Sequence, residues 1–170
     1  PDGVSLTGAG TQCVVLQLTN PAVNTTLVTM GAGSRIENVT GNLSVTSMGT
    51  AVDITAVEFP TGTVNMTNPA LTGTSLTAKL RATVWNVSYA KGGANRVVGI
   101  LSSGTSSLVY NSSDAVGRST VNVTSDSTGT TRGLYLTATN RFGIRDTVIN
   151  VKGSGYNIVG VETNDPTPGT

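Results

Sequence analysis

Histidine is absent from this sequence of 170 residues, and cysteine occurs once, as Cys13. Without histidine the chain has no His-based catalytic triad, lacks the usual ligands of zinc and non-haem iron, and lacks the commonest general base. A single cysteine forms no disulfide framework and, without a histidine partner, is no nucleophile of the Cys–His kind. Because Cys13 lies in an apolar run, we expect it to be a buried small hydrophobic residue.

Charged and aromatic residues are also scarce, at 11% and 4% of the chain. Ten Lys and Arg against nine Asp and Glu give a net charge of +1, without a basic run or aromatic residues interleaved with basic ones. This composition predicts no nucleic-acid partner. No apolar run approaches the roughly 18 residues of a membrane span, and no signal-peptide pattern opens the chain, so the sequence predicts no membrane span.

Threonine, serine, valine, asparagine and glycine take the place of the missing types, and together they are typical of strands interrupted by turns. No segment of ten or more residues keeps a helical period with capping signals. Short alternating or apolar runs predict strands, with Gly41 as a bend in the third of them; they cover 12–18, 26–30, 34–45, 51–59 and 63–67. The sequence therefore predicts an all-β chain.

One short sequence motif, called a phrase below, occurs three times in the second half of the chain. It reads Arg-Ala-Thr-Val-Trp-Asn-Val at 81–87, Arg-Ser-Thr-Val-Asn-Val at 118–123 and Arg-Asp-Thr-Val-Ile-Asn-Val at 145–151, so the middle copy is one residue shorter. Each copy is followed by a second apolar phrase that contains a glycine, at 97–101, 133–136 and 158–161. The first arginines are 37 and 27 residues apart, a spacing that indicates stacked repeats with loops of different length.

These repeats favour a right-handed parallel β-helix, with an antiparallel β-sandwich as the alternative. Asn-Gly and Asp-Gly dipeptides, which antiparallel hairpins use, are missing between the predicted strands. We expect a single β-solenoid domain at 11–162, with a linker at 1–10 and another at 163–170. Linker-like sequence at both ends also suggests a segment of a larger protein.

Stacked coils would place equivalent polar side chains above one another. Two ladders are predicted, one of threonines and one of asparagines, in which the side chains bond along the solenoid axis; their members are Thr83, Thr120 and Thr147, and Asn86, Asn122 and Asn150. Arg81, Arg118 and Arg145 would share one face. Each guanidinium group would then face solvent, a carboxylate such as Asp114 or Asp146, or a bound anion.

No catalytic, cofactor-binding or metal site is predicted. Carboxylates alone can serve glycoside hydrolases, so a carboxylate-only hydrolase or lyase stays open, with Asp53, Glu58, Asp114, Asp126 and Asp146 as its acidic groups. Asp53 and Glu58 are an odd number of residues apart, so one uninterrupted strand would put them on opposite faces. Spacing therefore does not support that pair.

Asn-X-Ser/Thr sequons are frequent in the chain. The candidate glycosylation sites are Asn24, Asn38, Asn42, Asn65 and Asn111, with Asn24 and Asn111 favoured because turn residues flank them. Asn86 and Asn122 also stand in sequons, but we assign them to the asparagine ladder.

Three stretches resemble sequences from large DNA viruses of algae and protists: Ser-Arg-Ile-Glu-Asn-Val at 34–39, Thr-Ala-Lys-Leu-Arg-Ala-Thr-Val at 77–84 and Val-Gly-Val-Glu-Thr-Asn at 159–164. The chain resembles, over about residues 30 to 165, the β-helical surface and fibre-associated proteins of giant viruses, including the repeat-bearing surface glycoproteins of chlorella viruses. The resemblance implies a glycosylated or sugar-contacting, often oligomeric protein on the virion surface or otherwise extracellular. No catalytic residue carries over.

The function predicted is a non-enzymatic structural or attachment module of a virion surface or fibre protein. Its partners would be other virion or surface proteins and host glycans, and no cofactor is expected. The alternatives are a tail-spike-like module that binds or cleaves polysaccharides, and a cell-surface adhesin or filament subunit. A trimer is expected if the second apolar face, with Val57, Trp85 and Ile149, is exposed.

Overall fold

The computed structural model describes residues 4–10, 13–31, 34–59, 78–102, 116–137, 144–155 and 157–163. Within these ranges the chain forms five coils of three strands each. In chain order the strands are β1 (Ser5–Thr7), β2 (Val15–Thr19), β3 (Thr25–Thr29), β4 (Arg35–Glu37), β5 (Thr40–Val45), β6 (Ile54–Phe59), β7 (Lys79–Arg81), β8 (Val84–Tyr89), β9 (Val97–Ser102), β10 (Val116–Gly117), β11 (Thr120–Ser125), β12 (Thr130–Leu136), β13 (Ile144–Arg145), β14 (Val148–Gly153) and β15 (Asn157–Thr163).

Each coil gives one strand to each of three sheets. The first sheet has the order β1-β4-β7-β10-β13, the second β2-β5-β8-β11-β14 and the third β3-β6-β9-β12-β15. All pairings between neighbouring coils are parallel. The prediction of an all-β parallel β-helix is therefore confirmed, and the antiparallel sandwich is excluded. None of the described residues belongs to a helix long and apolar enough to cross a membrane.

The coils differ in length because their connections differ, while the strands stay in register. Arg35 pairs with Lys79, and Val116 pairs with Ile144, although the chain between the partners is much longer in the first case. Most of the extra residues fall between the third sheet of one coil and the first sheet of the next, at 60–78, 103–115 and 137–143, and the remainder fall in the turn between the second and third sheets, which is longer at 46–53 than at 126–129. The insertions therefore leave the coil at two corners, and the register of the strands is unchanged. The strand predicted at 63–67 lies outside the described residues.

Side chains that point inward stack into one core along the axis. Its largest member is Trp85, which is fully buried, and its ring lies over Gly41 of the preceding coil. A Cβ atom at Gly41 would overlap that ring. The predicted bend at Gly41 is therefore wrong: Gly41 lies inside β5 and is glycine because the adjacent coil carries a tryptophan.

The bend lies instead at Asn38, which has a φ of 53°.

A second correction concerns the linker at 1–10, because Ser5–Thr7 forms β1 and pairs with β4. A strand this short, with one apolar residue, carries no alternating pattern that could reveal it. The trimer was predicted for an exposed apolar second face, and this condition is not met, because Val57 and Trp85 are fully buried. The oligomeric state itself stays a prediction.

Candidate functional site

The corner between the first and second sheets repeats in four coils with the same backbone conformation. Its residues have φ values of 48° to 53°, in the left-handed region; they are Asn38, Ala82, Arg118 and Asp146. For residues other than glycine this region costs roughly 1–2 kcal/mol. The corner is held by hydrogen bonds along the axis: Ala82 N donates to Gly117 O at 2.9 Å, and Arg118 N donates to Arg145 O at 3.0 Å.

This corner brings three arginines together. Arg81 and Arg145 are both register partners of Gly117, one on each side of it, and Arg118 follows Gly117 directly. Arg118 therefore shares the corner with the other two arginines but not their row. Because Gly117 has no side chain, a cleft of about 70 Å³ remains, and it is lined by Arg81, Gly117, Arg118, Arg145 and Asp146.

Positive charge exceeds negative charge in this cleft. Asp146 is its one acidic residue, and Asp146 Oδ2 lies 3.6 Å from Arg145 Nε, with both side chains about two-thirds exposed. Such an exposed pair contributes little to stability. Glu37 is the register partner of Arg81 on the other side, but its Oε1 accepts a hydrogen bond of 2.5 Å from Arg35. The cleft therefore offers guanidinium donors to an anion, and guanidinium groups bind carboxylate, sulfate or phosphate oxygens in a fork.

The predicted asparagine ladder lies on the outer face of the second sheet. Asn150 Nδ2 donates to Asn122 Oδ1 at 2.8 Å, and Asn122 Nδ2 donates to Asn86 Oδ1 at 2.8 Å. The row continues beyond the prediction, since Asn86 Nδ2 donates to Asn42 Oδ1 at 2.9 Å, and Gln17 is the register partner of Asn42. Every donor points toward the preceding coil, so the ladder has one direction along the axis.

The predicted threonine ladder is wrong at Thr120. Thr120 pairs with Val84 and Val148, and Ser119 stands in the row between Thr83 and Thr147. The reason is the shorter middle phrase: its arginine occupies the corner position of Ala82, which shifts the next residues by one, while the asparagines stay aligned. Thr83 and Ser119 are buried, and their hydroxyl oxygens lie 3.0 Å apart. Trp85 Nε1 donates to Thr83 Oγ1 at 2.9 Å, a contact that the sequence analysis missed.

Two of the acidic residues considered for catalysis, Asp53 and Asp126, bind the same turn. Asp53 Oδ1 accepts a hydrogen bond from Arg96 N, and Asp126 Oδ1 accepts one from Gly92 N, each at 2.7 Å. These two aspartates thus fix opposite ends of the turn that follows β8. Asp114 lies outside the described residues. Nowhere in the described ranges do three or more His, Cys, Asp or Glu side chains form a group that could hold a metal ion.

Tyr89 lies at the end of β8, where its side chain is buried. Burial raises the pKa of the Tyr89 hydroxyl, and the charges of Asp126 and Asp53 raise it further, against the lowering effect of a backbone hydrogen bond at Val52. The neutral hydroxyl donates to Asn95 Oδ1 at 2.8 Å. This hydrogen bond ties the turn to the core.

The candidate glycosylation sites differ in their surroundings. Asn24 is exposed, although its Oδ1 accepts a hydrogen bond from Asp53 N, and Asn38 is half-buried at the left-handed corner. Asn42 belongs to the asparagine ladder. Asn65 and Asn111 lie outside the described residues, so glycosylation stays a prediction. Cys13, expected in the core, is exposed, because it lies in the turn before β2, where its backbone N–H donates to Gly10 O.

Comparison of the chain with family models, curated proteins and solved structures gave no match. The geometry of the arginine cleft and of the stacked frame therefore carries the functional argument.

The ladder makes a graded prediction about stability. Asn122 makes two side-chain amide hydrogen bonds in the row and Asn150 makes one. Since a net hydrogen bond contributes about 0.5–1.5 kcal/mol, Asn122→Ala should lower the free energy of unfolding by about 1–3 kcal/mol, and Asn150→Ala by about half as much. Urea denaturation measures both. Thr124→Ala, an exposed position on the same strand, is the control, and equal losses in all three variants would contradict the ladder's role.

Proposed function

We propose that the chain is a non-enzymatic structural and attachment module of a fibre or surface protein on the exterior of a virion. The observation that carries this proposal is a stack of five coils in which the strands keep their register although the connections between them differ in length. Such a frame holds surface groups at fixed spacing, about 4.8 Å from coil to coil. A spacer that displays loops and binding groups needs this property.

The non-enzymatic part of the proposal rests on how the acidic side chains are used. Asp53 and Asp126 bind backbone N–H groups and fix a turn, and Glu162 forms an ion pair with Arg132. These contacts give the three carboxylates structural roles in the turn and in the third sheet. Incubation with acidic and neutral polysaccharides should release no reducing ends. Release that is lost in Asp53→Asn or Asp126→Asn would overturn this part.

The attachment surface in this proposal is the arginine cleft around Gly117. Its ligand would be an anionic group of a glycan, a carboxylate or a sulfate, because these oxygens match the guanidinium fork. The viral setting rests on the sequence resemblance alone. Mass spectrometry and antibody labelling of purified virus particles test that setting. Failure to find the protein there would leave the glycan-binding test below unaffected.

Removing two guanidinium groups should weaken binding to an acidic polysaccharide. For Arg81→Ala combined with Arg145→Ala, we expect at least a tenfold loss of affinity for heparin or polyuronate, measured by biolayer interferometry. Each lost charge-assisted hydrogen bond contributes about 1.5–3 kcal/mol before solvent screening. Binding by the native chain should also decrease with salt.

The charge-matched control is Lys91→Ala combined with Lys152→Ala, which removes two exposed positive charges that do not line the cleft. We expect this variant to lose less than twofold in affinity. An equal loss in both double variants would mean that net charge alone explains the binding, and the cleft would then have no special role. Absence of binding by the native chain would overturn the attachment part of the proposal.

A further inference from the structure

Apolar side chains are exposed mainly at the two ends of the solenoid. In the inward row of the first sheet, Leu6 is 38% exposed and Ile144 is 37% exposed, while Leu80 and Val116 between them are fully buried. The other exposed apolar residues of the end coils are Val4, Val15, Val23, Val148, Ile158 and Val161. Among the described residues, the inner coils are covered by a neighbouring coil on both sides, and each end coil is covered on one side. Each end surface therefore exposes side chains from rows that form the buried core in the inner coils.

A glycine at the last coil indicates that a further coil fits there. In the third sheet, Gly99, Gly133 and Gly160 form one row. A Cβ atom at Gly99 would lie 2.5 Å from Val121 Cγ1, and one at Gly133 would lie 2.6 Å from the Gly160 carbonyl oxygen, so each of these glycines makes room for the following coil. At Gly160 no described atom lies within 4 Å of that position. Glycine weakens a strand by roughly 0.5–1 kcal/mol, and the isolated chain gains no close contact from it.

We propose that the last coil of one molecule stacks on the first coil of a second molecule, head to tail. The first coil presents Leu16 and Leu18 in the rows of Val121 and Val123, the residues that pack against Gly99. They would therefore meet Gly160 of the preceding molecule. Because all strands are parallel, the two end surfaces are different, so this contact repeats in one direction and builds a filament.

The asparagine ladder supports the same arrangement. Each carboxamide donates to the coil before it, so the next coil after Asn150 must supply a donor to Asn150 Oδ1. The residue in that row of the first coil is Gln17, which is exposed and carries a carboxamide N–H. Gln17 of a second molecule would extend the ladder without changing its direction.

The strands of the first coil lack the features that usually prevent edge pairing. Their sequences are Ser-Leu-Thr, Val-Leu-Gln-Leu-Thr and Thr-Thr-Leu-Val-Thr, with neither a charged residue nor a proline. Natural proteins protect free edges with charged residues, proline or bulges, because an open edge templates pairing with another chain. The uncharged first coil also places no like charge opposite Arg145, Lys152 or Glu162 of the last coil.

The test uses the full chain and two variants, each of which alters one end. Gly160→Val should block the last coil, and Leu6→Lys places a charge at the first coil. Sedimentation velocity over a concentration series should show reversible association of the native chain, at least tenfold weaker in each variant. Met48→Lys, at an exposed turn residue of the second coil, is the matched control and should associate like the native chain. Circular dichroism confirms that each variant is folded.

Mixing the two variants tests the direction of the contact. Leu6→Lys keeps an intact last coil and Gly160→Val keeps an intact first coil, so the mixture should form dimers and nothing longer. A native chain that stays monomeric at all concentrations would overturn the proposal, and would leave the end surfaces to further coils of a longer chain. Association that is unchanged in both variants would overturn it as well. Neither result bears on anion binding at the arginine cleft.

Discussion

Trp85→Ala is expected to lower the free energy of unfolding by about 3–5 kcal/mol, the range for truncating a large buried aromatic side chain. Trp85 is fully buried at the middle coil, and its ring fills the space above Gly41. The substitution also leaves Thr83 Oγ1 without the donor Trp85 Nε1, in a site that water does not reach. Urea or thermal denaturation measures the loss.

The substitution Gly41→Ala tests whether the loss of stability in Trp85→Ala depends on the contact between the Trp85 ring and Gly41. Gly41→Ala alone should destabilise the chain, because its Cβ atom would overlap the Trp85 ring. In the presence of Trp85→Ala, the same Gly41→Ala should cost far less, because the ring is gone. Additive losses in this double-mutant cycle would contradict the stacking of Trp85 on Gly41.

The glycine row of the third sheet provides the next largest expected effect. Gly133→Ala should lower the free energy of unfolding by about 1–3 kcal/mol, because its Cβ atom would meet the Gly160 carbonyl oxygen and the Ile149 side chain of the next coil. A backbone oxygen within a paired strand has no room to move away.

Gly160→Ala is the matched control for this prediction, since Gly160 occupies the same row at the last coil. With no described atom within 4 Å of the added Cβ atom, we expect no loss and a gain of up to about 1 kcal/mol from reduced entropy of the unfolded chain. Both variants are measured at concentrations at which the native chain is monomeric. Equal destabilisation at the two positions would contradict the conclusion that the last coil has a neighbouring coil on one side only.

The main features of the fold could be predicted because the repeats keep polar residues at fixed positions. The asparagines at 86, 122 and 150 align in space because each follows an inward apolar residue of the same strand. The lack of hairpin dipeptides correctly indicated parallel stacking. Likewise, the glycine in each second phrase marks one row of the third sheet. These features depend on neighbouring coils that are equivalent, so one sequence period predicts the next.

Features that depend on a single pair of coils could not be predicted. Gly41 is explained only by Trp85, which lies 44 residues further along the chain, and no local pattern connects the two. Ser119 replaces Thr120 in the buried row because the corner residue is Arg118 in one coil and Ala82 in another. A left-handed corner at alanine or arginine has no sequence signal, since the preference for this conformation belongs to glycine and asparagine. The shared arginine face was predicted from the repeats, but Gly117 between Arg81 and Arg145 was missed, because Arg118 occupies the corner position.

The measurement that tests the account most directly is a nuclear Overhauser spectrum of the side-chain amides in solution. The account predicts contacts from the Asn122 carboxamide to both Asn86 and Asn150, and from Asn86 to Asn42, with inter-strand backbone contacts of the parallel type. Close Hα–Hα contacts of the antiparallel type between these strands, or an Asn122 carboxamide distant from both Asn86 and Asn150, would contradict the stacked coils.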